Sequence, residues 1–85
     1  MIAAFTGCGA DAATGCGGGL DSAGRVRKAA VVGAALDRHR PDASDPIGVL
    51  TALGGLEHAA IAGFVLAGVA HRVPVILDGV IAGAA

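Results

Sequence analysis

The apolar positions of this chain concentrate toward its C-terminal half and change period there. From Ala59 to Ala70 every side chain is apolar. A helix over about 56–71 is predicted, and with no polar face it is expected to be covered on every side. Val73 to Leu77 follows, short and mostly β-branched, and Asp78-Gly79 ends it. That pattern predicts a strand over about 73–78, buried on both faces as in a parallel sheet. Open α/β sheets hold ligands beyond the carboxyl ends of their strands, so chemistry is expected at Asp78-Gly79. Upstream the period is helical. Val26, Ala29, Ala30, Val32, Gly33 and Leu36 share one broad face of a helix over about 21–39, while Arg27, Lys28, Arg38 and His39 lie on others. Asp21 is placed to cap its start, and Pro41 stops it by disfavouring helical geometry in the preceding residue. Asp45-Pro46 opens a short helix over about 46–53, with Asp as cap and Pro at the first position.

The remaining stretches connect these elements. Met1 to Thr6 is short and apolar, with Gly7 as a helix stop. A glycine-rich loop occupies 7–19, with a short strand near 13–16 as an option, and a further helix starts at 80–85. The fold class read from this order is α/β, a fragment of a doubly wound parallel-sheet domain. It is helix-rich, with one strand over about 73–78, and residues 1–85 form a single partial α/β segment. Composition points the same way. Hydrophobic residues make up 54% of the 85 but aromatic ones only 2%, with 15 glycines. Small apolar side chains suit close helix packing but anchor a free-standing core poorly. The chain reads as the interior of a larger domain.

Charge removes several function classes. The net charge is −1, which gives no bulk attraction to nucleic acid. Arg25, Arg27, Lys28, Arg38 and Arg40 cluster, but Asp21 and Asp37 dilute them, and mixed signs on a helix read as a solvated face. The apolar run falls short of the ~20 residues that span a bilayer, and Met1 to Phe5 has no basic n-region. No membrane or nucleic-acid partner is expected, and the expected location is cytoplasmic. Cys8 and Cys16 match no zinc spacing. No metal site and no cofactor are expected, and both thiols read as small loop or buried groups. Glu57 stands in a first helical turn, where the dipole favours a carboxylate. His58 and His71 have no visible catalytic partner.

Gly15-Cys16-Gly17-Gly18-Gly19 runs into Leu20-Asp21-Ser22. A glycine-rich loop feeding a helix start offers unpaired amides to an anion, and glycine lets the backbone come close to a phosphate. The loop is not a Walker A motif, because no Gly-Lys-Ser/Thr follows. Lys28 lies about two turns into the helix, within reach of an anion at the loop. A plain turn and a solvated lysine are the alternatives.

Three blocks together carry a resemblance. They are Gly54-Gly55-Leu56-Glu57-His58-Ala59-Ala60-Ile61-Ala62-Gly63, Arg72-Val73-Pro74-Val75-Ile76-Leu77-Asp78-Gly79, and Gly15-Cys16-Gly17-Gly18-Gly19-Leu20-Asp21-Ser22-Ala23-Gly24-Arg25-Val26-Arg27-Lys28. The chain resembles the nicotinate-nucleotide:dimethylbenzimidazole phosphoribosyltransferase family. Its patterns at these places are Gly-Gly-Phe-Glu-Ile-Ala-Ala-Met-Ala-Gly, Arg-x-Pro-Val-x-Leu-Asp-Gly-Phe, and Gly-Arg-Gly-Thr-Gly-Leu-Asp-Asp-x-Gly-Leu-x-x-Lys. Cys16 stands for the arginine, Gly18 for the threonine and Val80 for the phenylalanine. The resemblance covers nearly all of this chain and an inner part of the family's sequence.

What the resemblance implies is a transferase of cobalamin lower-ligand synthesis. It would pass phosphoribose from nicotinate mononucleotide to 5,6-dimethylbenzimidazole, giving α-ribazole 5′-phosphate and nicotinate. Gly15, Gly17, Gly19, Lys28, Asp78 and Gly79 would line the phosphoribosyl side. The family's general-base glutamate matches no position here, so no catalytic residue is assigned and the 85 residues alone are expected to be inactive. A homodimer is implied for the full-length family. The alternative is a non-catalytic α/β fragment that self-associates or docks on a complete subunit.

Overall fold

Several helix ends in this chain are set by one residue with a local reason to be there. The structure, a computed structural model, describes residues 1–15 and 21–85. It contains helices α1 (Ile2–Thr6), α2 (Ser22–His39), α3 (Pro46–Leu53), α4 (Leu56–Ala70) and α5 (Gly79–Ala84). At the start of α2 the Asp21 carboxylate accepts the Gly24 N–H at 2.7 Å, filling one of the free amides of the first turn. Asp45 does the same for Gly48 at 2.9 Å, with Pro46 opening α3. Arg40 takes a left-handed φ of 41° and donates its N–H to Leu36 O at 2.8 Å, ending α2 just before Pro41.

The end of α4 is a Schellman closure. Arg72 is left-handed (φ 55°), its N–H reaching Val69 O at 3.1 Å, while Val73 N–H reaches Gly68 O at 2.8 Å. The two bonds satisfy carbonyls that the last turn leaves free. They also turn the chain back, so that Val75 packs against Gly68, where a β-carbon would meet its methyl group.

No strand forms among the described residues, which corrects the α/β reading. Residues 73–78 carry no helix and no ladder. A strand exists only by pairing its amides and carbonyls with a neighbour, and the second candidate is bent into a turn. There Ala13 N–H donates to Gly9 O and Thr14 N–H to Asp11 O, each at 3.1 Å. The Thr14 hydroxyl donates back to Ala10 O at 2.6 Å. Cys16, the last residue of that predicted strand, lies outside the described residues.

The second correction concerns burial. α2 packs on α3 and α4 on α5, but among the described residues only Ala3 and Val49 are buried apolar side chains. α4 has one half-covered stripe, formed by His58, Ile61, Ala62, Val65 and Gly68, and the rest faces out. Leu56 is 90% exposed and Phe64 69%. On α2 the inward stripe is Arg25, Ala29, Val32, Gly33 and Leu36, with Val26 and Ala30 exposed. The radius of gyration is 14.0 Å, against about 12 Å for a closed domain of this length. The accessible surface is 5910 Å², against roughly 4,500 Å² for a closed domain of this mass. Small side chains, with α1 and α5 only five and six residues long, leave apolar area uncovered. Among the described residues no helix is long and apolar enough to cross a membrane.

Candidate functional site

The glycine-rich stretch is entered through an ordered turn. Asp11 to Thr14 is held against α2 by Arg25, whose Nη1 donates to the carbonyls of Asp11 and Thr14, each at 3.1 Å. Its Nη2 lies 2.9 Å from Asp11 Oδ1 and donates to Oδ2 at 3.1 Å. Thr14 is buried and Gly15 next to it is exposed. Gly17 and Gly19 lie outside the described residues. On the far side, Asp21 N–caps α2, so one amide of that first turn is already taken by protein. Lys28 follows Arg25 by three residues, a spacing that sets two side chains on neighbouring parts of one helix face. It is exposed, and among the described residues no carboxylate pairs with it.

Asp78 and Gly79 stand at the other end of the chain. Asp78 is the extended residue before α5 and makes no side-chain capping bond, and Gly79 has φ 81°. A side chain at Gly79 would have open space but a strained backbone. No hydrogen bond or ion pair joins Asp78 to Lys28 among the described residues, and the grooves beside Phe5, His58, Leu36 and Gly55 are lined by none of Gly15, Lys28, Asp78 and Gly79. An apolar groove of about 340 Å³ lies between α1, α3 and α4, lined by Phe5, Ile47, Leu50 and Val65 among others.

Sequence reasoning passed over two further groups. Arg25 was assigned to a solvated face, yet it sits on the inner stripe of α2. His58 is half-buried, with Nδ1 3.3 Å from Glu57 Oε1 but out of line for a hydrogen bond, and that nitrogen has no partner. The Glu57 carboxylate folds back over Gly55, where a β-carbon would collide with it. Asp42 is held below the ordinary carboxylate range by the Ser44 hydroxyl and then the Ser44 amide, which donate at 2.7 and 2.8 Å. Among the described residues no three His, Cys, Asp or Glu side chains converge as a metal set. The arrangement offers a cation and a helix start, which is binding chemistry.

Comparison with known proteins fixes the family. A family model described as phosphoribosyltransferase matches residues 1–85. Over the full 85 residues the chain is 55% identical to the nicotinate-nucleotide–dimethylbenzimidazole phosphoribosyltransferase of Salinispora tropica, covering 23% of that protein. It is 47% identical to the enzyme of the same name from Desulforudis audaxviator and 48% identical to that of Roseiflexus castenholzii, covering 24% of each. The chain belongs to the nicotinate-nucleotide–dimethylbenzimidazole phosphoribosyltransferase family. It spans about a quarter of the length of these relatives. No solved structure matches it. Within the family, this segment carries the glycine-rich stretch, Lys28 and Asp78-Gly79 on one continuous 85-residue match.

Proposed function

We propose that this chain supplies the phosphoribosyl side of an enzyme that transfers phosphoribose from nicotinate mononucleotide to 5,6-dimethylbenzimidazole. The observation that carries this reading is the match of all 85 residues to relatives of that name, one of them at 55% identity. In the reaction, the bond from the anomeric carbon to nicotinate breaks and a bond to a benzimidazole nitrogen forms. The benzimidazole N–H proton passes to a base. By this reading Gly15, Gly17, Gly19, Lys28, Asp78 and Gly79 line the phosphoribosyl side, where glycine suits close approach of a phosphate and Lys28 adds a charge. Each of these roles concerns binding and orientation. Absence of a positioned base costs roughly 10²–10⁴-fold, so the 85 residues alone give negligible turnover.

The reading includes a cytoplasmic location and action within a homodimer. Exposed apolar side chains on α4, Phe64 and Leu66 among them, support an assembled state, because apolar area of that kind drives association. Nicotinate mononucleotide titrated into the chain, followed by amide NMR, tests the assignment. Saturable shifts at Gly15, Lys28 and Asp78-Gly79 are expected. Shifts confined to other residues, or none, refute it.

A further inference from the structure

We propose that the outward face of α4 is an isologous interface, on which a second copy of this chain lays its own α4 antiparallel. The inference rests on the assembled state in the reading above and adds which face meets which, and in what direction. Three observations carry it. The first is area. The accessible surface exceeds that of a closed domain of this mass by about 1,400 Å², and a standard interface takes ~800 Å² from each partner. The second is place. Opposite the half-covered stripe of α4, the helix exposes Leu56, Ala60, Gly63, Phe64 and Ala67. A β-carbon at Gly63 would meet nothing within 4 Å, so a facing helix has open approach there, and side chains at the contact set how close two helices come.

The third observation is charge, and it chooses both the partner and the direction. Glu57 stands in the first turn of α4, while His71 and Arg72 follow its last. Roughly 20 Å of helix separates the two ends, too far for them to pair within one copy. Among the described residues neither His71 nor Arg72 meets a carboxylate, and Glu57 approaches His58 without a hydrogen bond. Antiparallel docking about Gly63, the middle residue of α4, brings each Glu57 to the His71-Arg72 end of its partner. Two-fold symmetry makes that contact twice, and it sets the opposite ends of the helix dipoles side by side. A parallel pair would instead place Glu57 against Glu57 and Arg72 against Arg72. The antiparallel register also puts Leu56 opposite the small Ala70, and Phe64 next to its own copy near the axis.

The test is light scattering after size exclusion, over a dilution series, on the chain and its Glu57→Lys, His71→Glu and doubly changed variants. The expected mass is that of two chains and no more, because an isologous contact uses the face up on both copies. Each single change should raise the concentration of half-dissociation about tenfold, since symmetry reverses two pairs at once. The double change should return to within about twofold of the unaltered chain, the sign of a direct pair. Within one copy the two changes put a cation at the helix start and an anion at its end, so purely intrachain penalties would add. Additive losses in the double variant therefore overturn the proposal. Direction is read by cross-linking in a Cys8→Ser, Cys16→Ser background, which also decides the matter should a charge variant fail to fold. Leu56→Cys with Ala70→Cys should oxidise to a covalent dimer, and Leu56→Cys alone should not. The reverse pattern means a parallel pair and overturns the proposal, as does a mass that climbs without limit. A monomer at every concentration overturns both this inference and the assembled state, and leaves the face to another polypeptide. A dimer indifferent to Glu57 and His71 overturns the inference alone. Nucleotide titration is a separate readout, so loss of the dimer leaves the phosphoribosyl assignment standing.

Discussion

At the residue scale, side chains acting on their own neighbourhood were legible and those acting across the chain were not. Asp21 and Asp45 each bond an amide three residues on, and that contact needs only the local sequence to be foreseen. Arg25 bonds a turn eleven and fourteen residues upstream, across a loop with no periodicity, so its charge reads as solvated until the chain is folded. Arg72 is similar. Its left-handed backbone closes α4 without the glycine that usually marks such an end. The candidate site shares this limit: glycines, Lys28 and Asp78-Gly79 are visible as motifs, but their mutual placement depends on contacts that no spacing encodes. Asp42 yields a pH prediction. Two donors from Ser44 favour its ionised form, so its folded value lies below that of the unfolded chain. The contact is complete above the ordinary carboxylate value, about 3.9, and is lost as pH falls through the lower folded one. A carbon-detected titration of the Asp42 carboxyl should find a depressed midpoint that rises in Ser44→Ala. An equal midpoint in both would contradict the assignment.

At the scale of elements, boundaries followed from caps while burial and pairing did not follow from pattern. The segment 73–78 has a strand's composition, yet a strand is a relation between two segments. The turn at Ala10 to Thr14, fixed by the Thr14 hydroxyl and Arg25, supplies no partner. α4 shows the same lesson for helices. An all-apolar sequence calls for cover on every side, but α5, which packs on α4, is too short to provide it, and only one stripe is half-covered. α2 depends most on its first turn, because the cap there also ends the glycine-rich stretch. Asp21→Ala should destabilise α2 by about 1 kcal/mol, read as faster amide exchange from Ser22 through Val26. Exchange unchanged in that turn would show that the cap is dispensable.

At the scale of the whole molecule, a large apolar surface and a small core occur together. Ala3 and Val49 are the buried apolar residues among those described, while Leu56, Phe64, Leu66 and Val69 of α4 are mostly exposed. Such a surface favours association over a dispersed monomer. Light scattering after size exclusion should give a mass above the monomer that falls on dilution, and Phe64→Glu should lower it further. A monomer at every concentration would contradict that. The central claim is the proposal that Gly15, Gly17, Gly19, Lys28, Asp78 and Gly79 line a phosphoribosyl site, with the phosphate as the group to be held. The most direct test is calorimetry of the chain with nicotinate mononucleotide and with nicotinate riboside, the same molecule without its phosphate. Measurable affinity for the nucleotide and at least a tenfold loss for the riboside, the scale of one charged hydrogen-bond set, are predicted. Equal affinity for the two, or none for either, would contradict the account.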